Sequence, residues 1–167
     1  NGGSITNHGT WNDNSDSFLG GTSVGAAAFK NDVGGTFAFN NASGGYFAKN
    51  GIGTTTFVDV PLNNSGTVSV QDGTLVVGGG GSNSLSGYFD VGYEANLEFT
   101  NSYSFASGSG IYGSGEARAT GGTLTLDGSI TLDKFILAGA TLAGSHQLYG
   151  DITWSSGTLA SSGSTDN

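Results

Sequence analysis

Three carboxylates spaced four residues apart are the first candidates for acid–base chemistry in this sequence. Asp90, Glu94 and Glu98 share this spacing, and residues four apart in an extended strand point to the same face. Glycoside hydrolysis uses two carboxyl groups that flank the scissile bond. However, the Asn-Thr-Asp, paired Asp, Gly-His-Gly and Arg-Ile-Lys sequences of the β-helical polysaccharide hydrolases are all missing. We therefore interpret the carboxylates as a solvated acidic face and assign no catalytic residue.

The two histidines form no recognisable catalytic or metal-binding set. His146 has Ser145 before it and Asp151 close behind it, but no Gly-x-Ser-x-Gly sequence supplies a nucleophile. His8 lies far away in the sequence, and the chain has no Cys to form a thiolate site. We interpret both as turn histidines and predict neither a metal nor a cofactor.

The stretch GGGGSNSLS at 78–86 resembles the nonapeptide of calcium-binding β-rolls. It occurs once, and Asn83 stands where the calcium motif requires an Asp, so the carboxylate charge and the tandem copies of a calcium site are both missing. We predict that residues 78–87 are a Gly-rich loop or insert.

Aromatic side chains offer a different chemistry, because exposed Tyr and Trp rings stack on the faces of sugars. We expect most of Tyr88, Tyr93, Tyr103, Tyr112, Tyr149 and Trp154 to fill the core or its corners, and Phe37, Phe39, Phe57, Phe99 and Phe105 to stack in the core. A candidate glycan-binding groove nevertheless falls within 88–118, where tyrosines alternate with acidic residues. Its residues are Tyr88, Asp90, Tyr93, Glu94 and Tyr112.

Composition excludes several classes of partner. The chain has 167 residues, a net charge of −9 and only four Lys and Arg, which are too scattered to bind phosphate backbones or anionic lipids. No apolar run approaches the roughly 20 residues that span a bilayer. We predict no nucleic-acid binding and no membrane insertion. Because no Met occurs, we expect residues 1–167 to be one segment of a longer chain.

The elements that must position these residues are short β-strands. Apolar residues alternate with Thr, Ser and Asn in phrases such as GTVSVQDGTLVVG at 66–78 and GGTLTLDGSITL at 121–132, and no helical periodicity occurs. A small residue, a polar residue and an apolar residue recur at intervals from 26 residues (Gly9 to Gly35) to 35 residues (Gly122 to Gly157). Such imperfect repeats of short strands are typical of a solenoid.

The last third of the chain shows a finer spacing. Leu124, Leu142 and Leu159 each follow a Thr, and we predict that they occupy one inward position on successive coils of a parallel β-helix. Asp127-Gly128 would then be a corner between two strands. The same Asp-Gly pairs could instead be hairpin turns, so a β-sandwich is the alternative all-β fold.

The phrases LNNSGTVSVQDGTLVVGGGGS and GGTLTLDGSITLDKFILAGATLAGSHQLYGDITWSSGTLASSGS resemble the repeats of large bacterial surface proteins, namely the filamentous-haemagglutinin-like and autotransporter-passenger adhesins. The resemblance is one of repeat style and covers most of residues 29–159. It implies a right-handed parallel β-helix, secretion, and a role in adhesion or as a stalk.

We therefore expect a non-enzymatic, extracellular or cell-surface β-helix segment. Its expected partners are a host or environmental surface, a glycan, or other copies of itself. The alternative is a carbohydrate-binding or carbohydrate-cleaving β-helix protein.

Overall fold

The protein is a parallel β-solenoid of about five turns. The computed structural model describes residues 3–13, 17–20, 28–30, 37–41, 46–161 and 164–165, and the side chains of residues 5–13, 46–56 and 58–160. Every strand pairing among the described residues is parallel. The all-β solenoid prediction is confirmed, and the β-sandwich alternative is wrong.

The strands form two hydrogen-bonded sheets, one of 14 strands and one of eight. The 14-stranded sheet consists of two faces that share its long strands, β19 (Phe135–Gly144) and β21 (Ile152–Ser161). Face A also contains β3 (Ser17–Gly20), β4 (Ala28–Lys30), β7 (Thr55–Val58), β10 (Thr74–Val77), β13 (Asn96–Phe99) and β16 (Glu116–Ala119). Face B also contains β1 (Gly3–Asn7), β5 (Phe37–Asn41), β8 (Leu62–Asn64), β11 (Gly81–Asn83), β14 (Tyr103–Phe105) and β17 (Thr123–Leu126).

The eight-stranded sheet forms face C. It contains β2 (Thr10–Asp13), β6 (Tyr46–Lys49), β9 (Thr67–Val70), β12 (Tyr88–Val91), β15 (Gly110–Gly113), β18 (Gly128–Leu132), β20 (His146–Tyr149) and β22 (Ser164–Thr165). Each coil from β7 onward therefore visits faces A, B and C in turn, and each strand pairs with the strand one coil before it and one coil after it. Such stacking gives a continuous core that one coil alone could not bury.

Coil length varies along the chain, and the last coils are the shortest. Stacked residues on face A are separated by 19 residues from Thr55 to Thr74 and by 22 from Thr74 to Asn96. The separation is 18 from Ala117 to Phe135 and 17 from Phe135 to Ile152. The intervals of 26 to 35 residues between the triplets are therefore not the lengths of these coils. The finer spacing of Leu124, Leu142 and Leu159 does equal the coil length.

The predicted leucine column is present. Leu124 pairs with Leu142, which pairs with Leu159, and the preceding threonines pair in the same way. Leu124 and Leu142 are buried, but Leu159 is 48% exposed because it lies in the last coil. Asp127 precedes Gly128, whose positive φ of 82° makes the corner between β17 and β18.

Strand β11 runs through the middle of the segment predicted to be a Gly-rich loop, residues 78–87. It pairs with β8 on one side and with β14 on the other. A Cβ atom at Gly81 would lie 2.1 Å from the carbonyl oxygen of Leu62, and φ at Gly81 is +127°. Glycine is therefore required here because the neighbouring coil approaches the backbone too closely for any side chain.

The core is aliphatic at most levels and aromatic at one. Phe89, Phe99, Tyr103 and Phe105 come from the three faces of adjacent coils, with ring centroids 5.0–6.2 Å apart in tilted and edge-to-face pairs. Such pairs contribute beyond the burial of their area. The core prediction is confirmed for Phe99 and Phe105. The side chains of Phe37, Phe39 and Phe57 lie outside the described part of the chain.

The core is polar near its first coils. Lys49 is fully buried, and its Nζ donates hydrogen bonds to the Asn50 carbonyl (2.6 Å) and to Thr54 Oγ1 (2.5 Å). Asp13 pairs in register with Lys49 and accepts a hydrogen bond from the buried Thr56 hydroxyl. Burying these groups is tolerable because each takes part in hydrogen bonds.

Candidate functional site

A column of outward-facing residues runs the length of face C. Successive strands place Tyr46, Thr67, Tyr88, Gly110, Thr131 and Tyr149 in register, one residue on each coil. We call these six residues the tyrosine column. The residue that follows each member of the column points inward, and in most coils it is buried, as Phe47, Val68 and Phe89 are. Because side chains alternate along a strand, the tyrosine rings are held outward.

The three tyrosines of the column are similarly exposed, at 37% for Tyr46, 40% for Tyr88 and 41% for Tyr149. Where Gly110 interrupts the column, Tyr112 covers the gap, since its Cζ lies 3.3 Å from the position of a Cβ at residue 110. The rings of Tyr88 and Tyr112 meet edge to face, with centroids 6.1 Å apart. Aromatic surface therefore extends over six coils.

A polar row lies beside the tyrosine column. Asp90 pairs in register with Ser69 on one side and with Tyr112 on the other. Its Oδ2 atom accepts hydrogen bonds of 3.5 Å from Ser69 and from Gln71. The face thus combines apolar rings with hydroxyl, amide and carboxylate groups that can bond to a ligand.

The other two predicted groove residues lie at a corner. Tyr93 is 73% exposed, and Glu94 has a φ of +64°, because the chain turns between β12 and β13. The premise that 90–98 stays extended is wrong, so Asp90, Glu94 and Glu98 do not share one strand face. Tyr88, Asp90 and Tyr112 are brought together on face C, and Tyr93 and Glu94 line a separate corner cleft.

The corner cleft has a volume of about 400 Å³. Tyr93, Glu94, Glu116, Lys134 and Asp151 supply its aromatic and charged lining. Glu116, Lys134 and Asp151 each lie one residue before a stacked position on face A. Because these positions belong to successive coils, the three side chains form a column whose charge alternates in sign. Lys134 has a φ of +44°, and its Nζ donates to the Ser114 carbonyl at 2.8 Å.

Asparagines form a ladder on face B, in which the side chains of Asn7, Asn64 and Asn83 are buried. Asn7, Asn41, Asn64 and Asn83 occupy one register position. Asn64 Nδ2 donates to Asn83 Oδ1 at 2.8 Å and to the Tyr88 carbonyl, and its Oδ1 accepts from the Gly66 amide at 3.1 Å. These bonds satisfy the backbone at the corner that leads into face C, so the ladder positions the strands that carry the tyrosine column.

Phe105 follows Asn83 in the register of face B, and Tyr103 bonds to the last asparagine of the ladder. Its hydroxyl donates to Asn83 Oδ1 at 3.4 Å within the aromatic core. Burial raises the pKa of Tyr103 well above its ordinary value, since the phenolate cannot be solvated there. Most of the six Tyr and Trp residues considered in the sequence were expected to fill the core or its corners. Tyr103 is the one of the six that is buried, and the other five are exposed.

His146 is the first residue of β20 and is buried, so the turn interpretation is wrong for it. Neither of its ring nitrogens has a hydrogen-bond partner in the described part of the chain, and no Ser–His pair exists there. Within the same residues, no group of three or more His, Cys, Asp and Glu side chains could hold a metal ion.

Sequence reasoning missed Tyr46 and the asparagine ladder, although both leave a signal. Gly-Tyr-Phe occurs at 45–47 and again at 87–89, two coils apart, and Asn-x-Gly-Thr occurs at 7–10 and 64–67. Each motif marks the entry into face C. Tyr149 follows no such motif, and only the register of β20 places it in the column.

Across the described residues, no helix has the length and apolar character needed to cross a membrane. Comparison with protein-family models, with curated proteins and with solved structures finds no match to this chain.

Proposed function

We propose that this chain is a non-enzymatic structural and adhesive β-solenoid segment that works outside the cell, at a cell surface. The observation that carries the proposal is the tyrosine column, in which a rigid stack of coils holds exposed aromatic side chains in one line. A buried role cannot account for these rings, since each is more than one third exposed. The repeat style shared with bacterial surface adhesins points the same way.

The mechanism is geometric. Successive coils rise by about 4.8 Å, so the column repeats weak contacts at fixed intervals along a rod. Contacts made by one rigid body share a single loss of translational and rotational freedom, and several copies on one surface bind with avidity. The acidic charge repels anionic polymers.

A flow assay tests adhesion. Beads coated with the chain at graded densities are passed over epithelial cells, plant cell-wall material and bare polystyrene, and bead retention is counted. We expect retention on at least one biological surface to rise more steeply than the coating density, because multivalent contacts cooperate. Retention no greater than that of albumin-coated beads on all surfaces would refute the proposal.

The corner cleft supports a second candidate, the cleavage of a carbohydrate. Glu94, Glu116 and Asp151 provide carboxylates, Lys134 provides a cation, and Tyr93 provides a stacking surface, which are the kinds of group that glycosidic cleavage needs. Reducing-end and unsaturated-sugar assays on a polysaccharide panel test this candidate. Activity that is lost in Glu116→Gln would favour it, and the absence of products from every polysaccharide would exclude it.

A further inference from the structure

We infer that the tyrosine column binds one neutral, extended polysaccharide chain lengthwise, parallel to the solenoid axis. The inference rests on the proposed adhesive function, and it names the ligand class and the residues that recognise it. The column and the polar row beside it carry the argument, independently of the corner cleft.

Spacing favours a linear ligand. Tyr46 and Tyr88 are two coils apart, or about 10 Å, and Tyr112 and Tyr149 are separated by a similar step along the axis. The whole column from Tyr46 to Tyr149 covers five steps, or about 24 Å. A pyranose residue in an extended chain is about as long as one coil is high. Six sugar rings laid along the column would therefore meet aromatic side chains at the first, third, fourth and sixth rings.

The intervening residues match the edges of a sugar chain. Thr67 and Thr131 lie between the tyrosines in the same column, and their hydroxyl groups can donate to and accept from sugar hydroxyls. Asp90 lies in the neighbouring row of face C. Its carboxylate accepts hydrogen bonds of 3.5 Å from Ser69 and Gln71. A carboxylate has about four acceptor sites, so it can accept further hydroxyl donors.

Charge selects against other ligands. The net charge of the chain is −9, and the column and polar row contain no Lys or Arg. Lys49 lies in the same strand as Tyr46, but it is fully buried. Polyanions such as nucleic acids or sulfated glycans would therefore be repelled, whereas a neutral chain would meet aromatic faces and hydrogen-bonding groups.

Titration with saccharides of graded length tests the inference. The probes are glucan, xylan and chitin oligosaccharides with β-linkages, two to eight residues long, and heparin serves as the anionic comparison. We expect at least one neutral series to bind, with affinity that rises with length until the ligand spans the column. Tyr88→Ala should weaken binding by about 3- to 10-fold, and Tyr88→Phe should retain most of it because the ring remains.

Ile52→Ala is the control, because Ile52 is an exposed apolar residue that lies outside both the tyrosine column and the corner cleft. It should leave saccharide binding unchanged, and circular dichroism should show every variant folded. The inference is overturned if no neutral series binds, if heparin binds instead, if affinity does not depend on length, or if Ile52→Ala weakens binding as much as Tyr88→Ala.

The two proposals can fail separately. Beads that adhere under flow although no saccharide binds would leave the adhesive function standing and remove this inference. If saccharides bind at the tyrosine column but coated beads are not retained, the saccharide site stands and the adhesive function is removed.

Discussion

At the scale of single residues, the leucine column of face B tests how the core is built. Leu142 is buried between Leu124 and Leu159, whereas Thr141 beside it points outward. We expect Leu142→Ala to lower the free energy of unfolding by about 2–5 kcal/mol, since it opens a cavity. Thr141→Ala should cost well under about 1 kcal/mol.

Urea denaturation of the two variants measures the difference, and Leu159→Ala adds a graded control. Leu159 occupies the same register position but is 48% exposed, so its truncation should cost much less than that of Leu142. Equal losses at residues 141 and 142 would show that the register is wrong.

Tyr103 predicts how stability depends on alkaline pH. Burial raises the pKa of its hydroxyl in the folded state, while in the unfolded chain it ionises near pH 10. Below that pH both states keep the proton, and above it only the unfolded state loses it. Stability should therefore be full below about pH 10 and fall as the pH rises further.

Tyrosinate absorbance and unfolding midpoints recorded against pH measure this effect. In Tyr103→Phe the alkaline loss of stability should be smaller, while unfolding at neutral pH should change only modestly because the hydrogen bond to Asn83 is long, at 3.4 Å. An unchanged alkaline slope in this variant would rule out Tyr103 as its cause.

At the scale of elements, the asparagine ladder should stabilise the corner between faces B and C. Asn64→Ala removes bonds to Asn83, to the Tyr88 carbonyl and to the Gly66 amide. Because each of these partners would lose a hydrogen bond that water does not replace, we expect a loss of about 1–3 kcal/mol. Thermal and urea unfolding measure it.

Asn101→Ala is the control for the ladder. Its side chain also bonds to a backbone carbonyl, that of Gly78 at 3.0 Å, but it is exposed to solvent. Water can replace this bond, so the variant should lose less than about 0.5 kcal/mol. Similar losses in the two asparagine variants would argue that burial of the ladder contributes nothing.

The strands show what the sequence could and could not predict about the elements. Alternation identified short strands correctly, because each residue points either into the core or out of it. The small–polar–apolar triplet was misread as marking coils. GTW at 9–11 leads into β2 on face C, whereas ANL at 95–97 leads into β13 on face A. The triplet marks any step from a corner into a strand, and each coil has three such steps.

The candidate site was harder to predict for a related reason. Tyr88, Asp90 and Tyr112 are near in sequence and also meet on face C, so local reasoning grouped them correctly. Tyr46 and Tyr149 join them only through the stacking of coils. From β7 onward, coil length varies from 17 residues (Phe135 to Ile152) to 22 (Thr74 to Asn96). Without the register of each coil, distant residues cannot be assigned to one column.

At the scale of the whole molecule, the exposed apolar side chains of β21 predict that residues 1–167, studied on their own, self-associate. Trp154 pairs in register with the buried Leu137, yet 59% of its side chain is exposed, and Leu159 is exposed in the same strand. Both occupy core positions with no further coil stacked on them among the described residues. A second copy could cover this surface and pair with the edge of β21.

Sedimentation at increasing concentration measures the association. We expect the wild-type chain to form larger species and Trp154→Asp to remain smaller at the same concentration. Ile52→Asp is the control, because Ile52 is 87% exposed but lies in a turn away from the last coil. A wild-type chain that stays monomeric at all concentrations would contradict the prediction.

The stacking of coils in register also constrains how genes for such proteins can change length. An insertion of one residue within a strand would reverse the inward and outward faces of everything up to the next corner. An insertion at a corner only enlarges a loop, and a duplicated coil restores every pairing. Natural length variants should therefore differ by corner residues or by blocks of about one coil. The 17-residue coil from Phe135 to Ile152 has long strands and few corner residues. It should therefore tolerate the fewest small insertions.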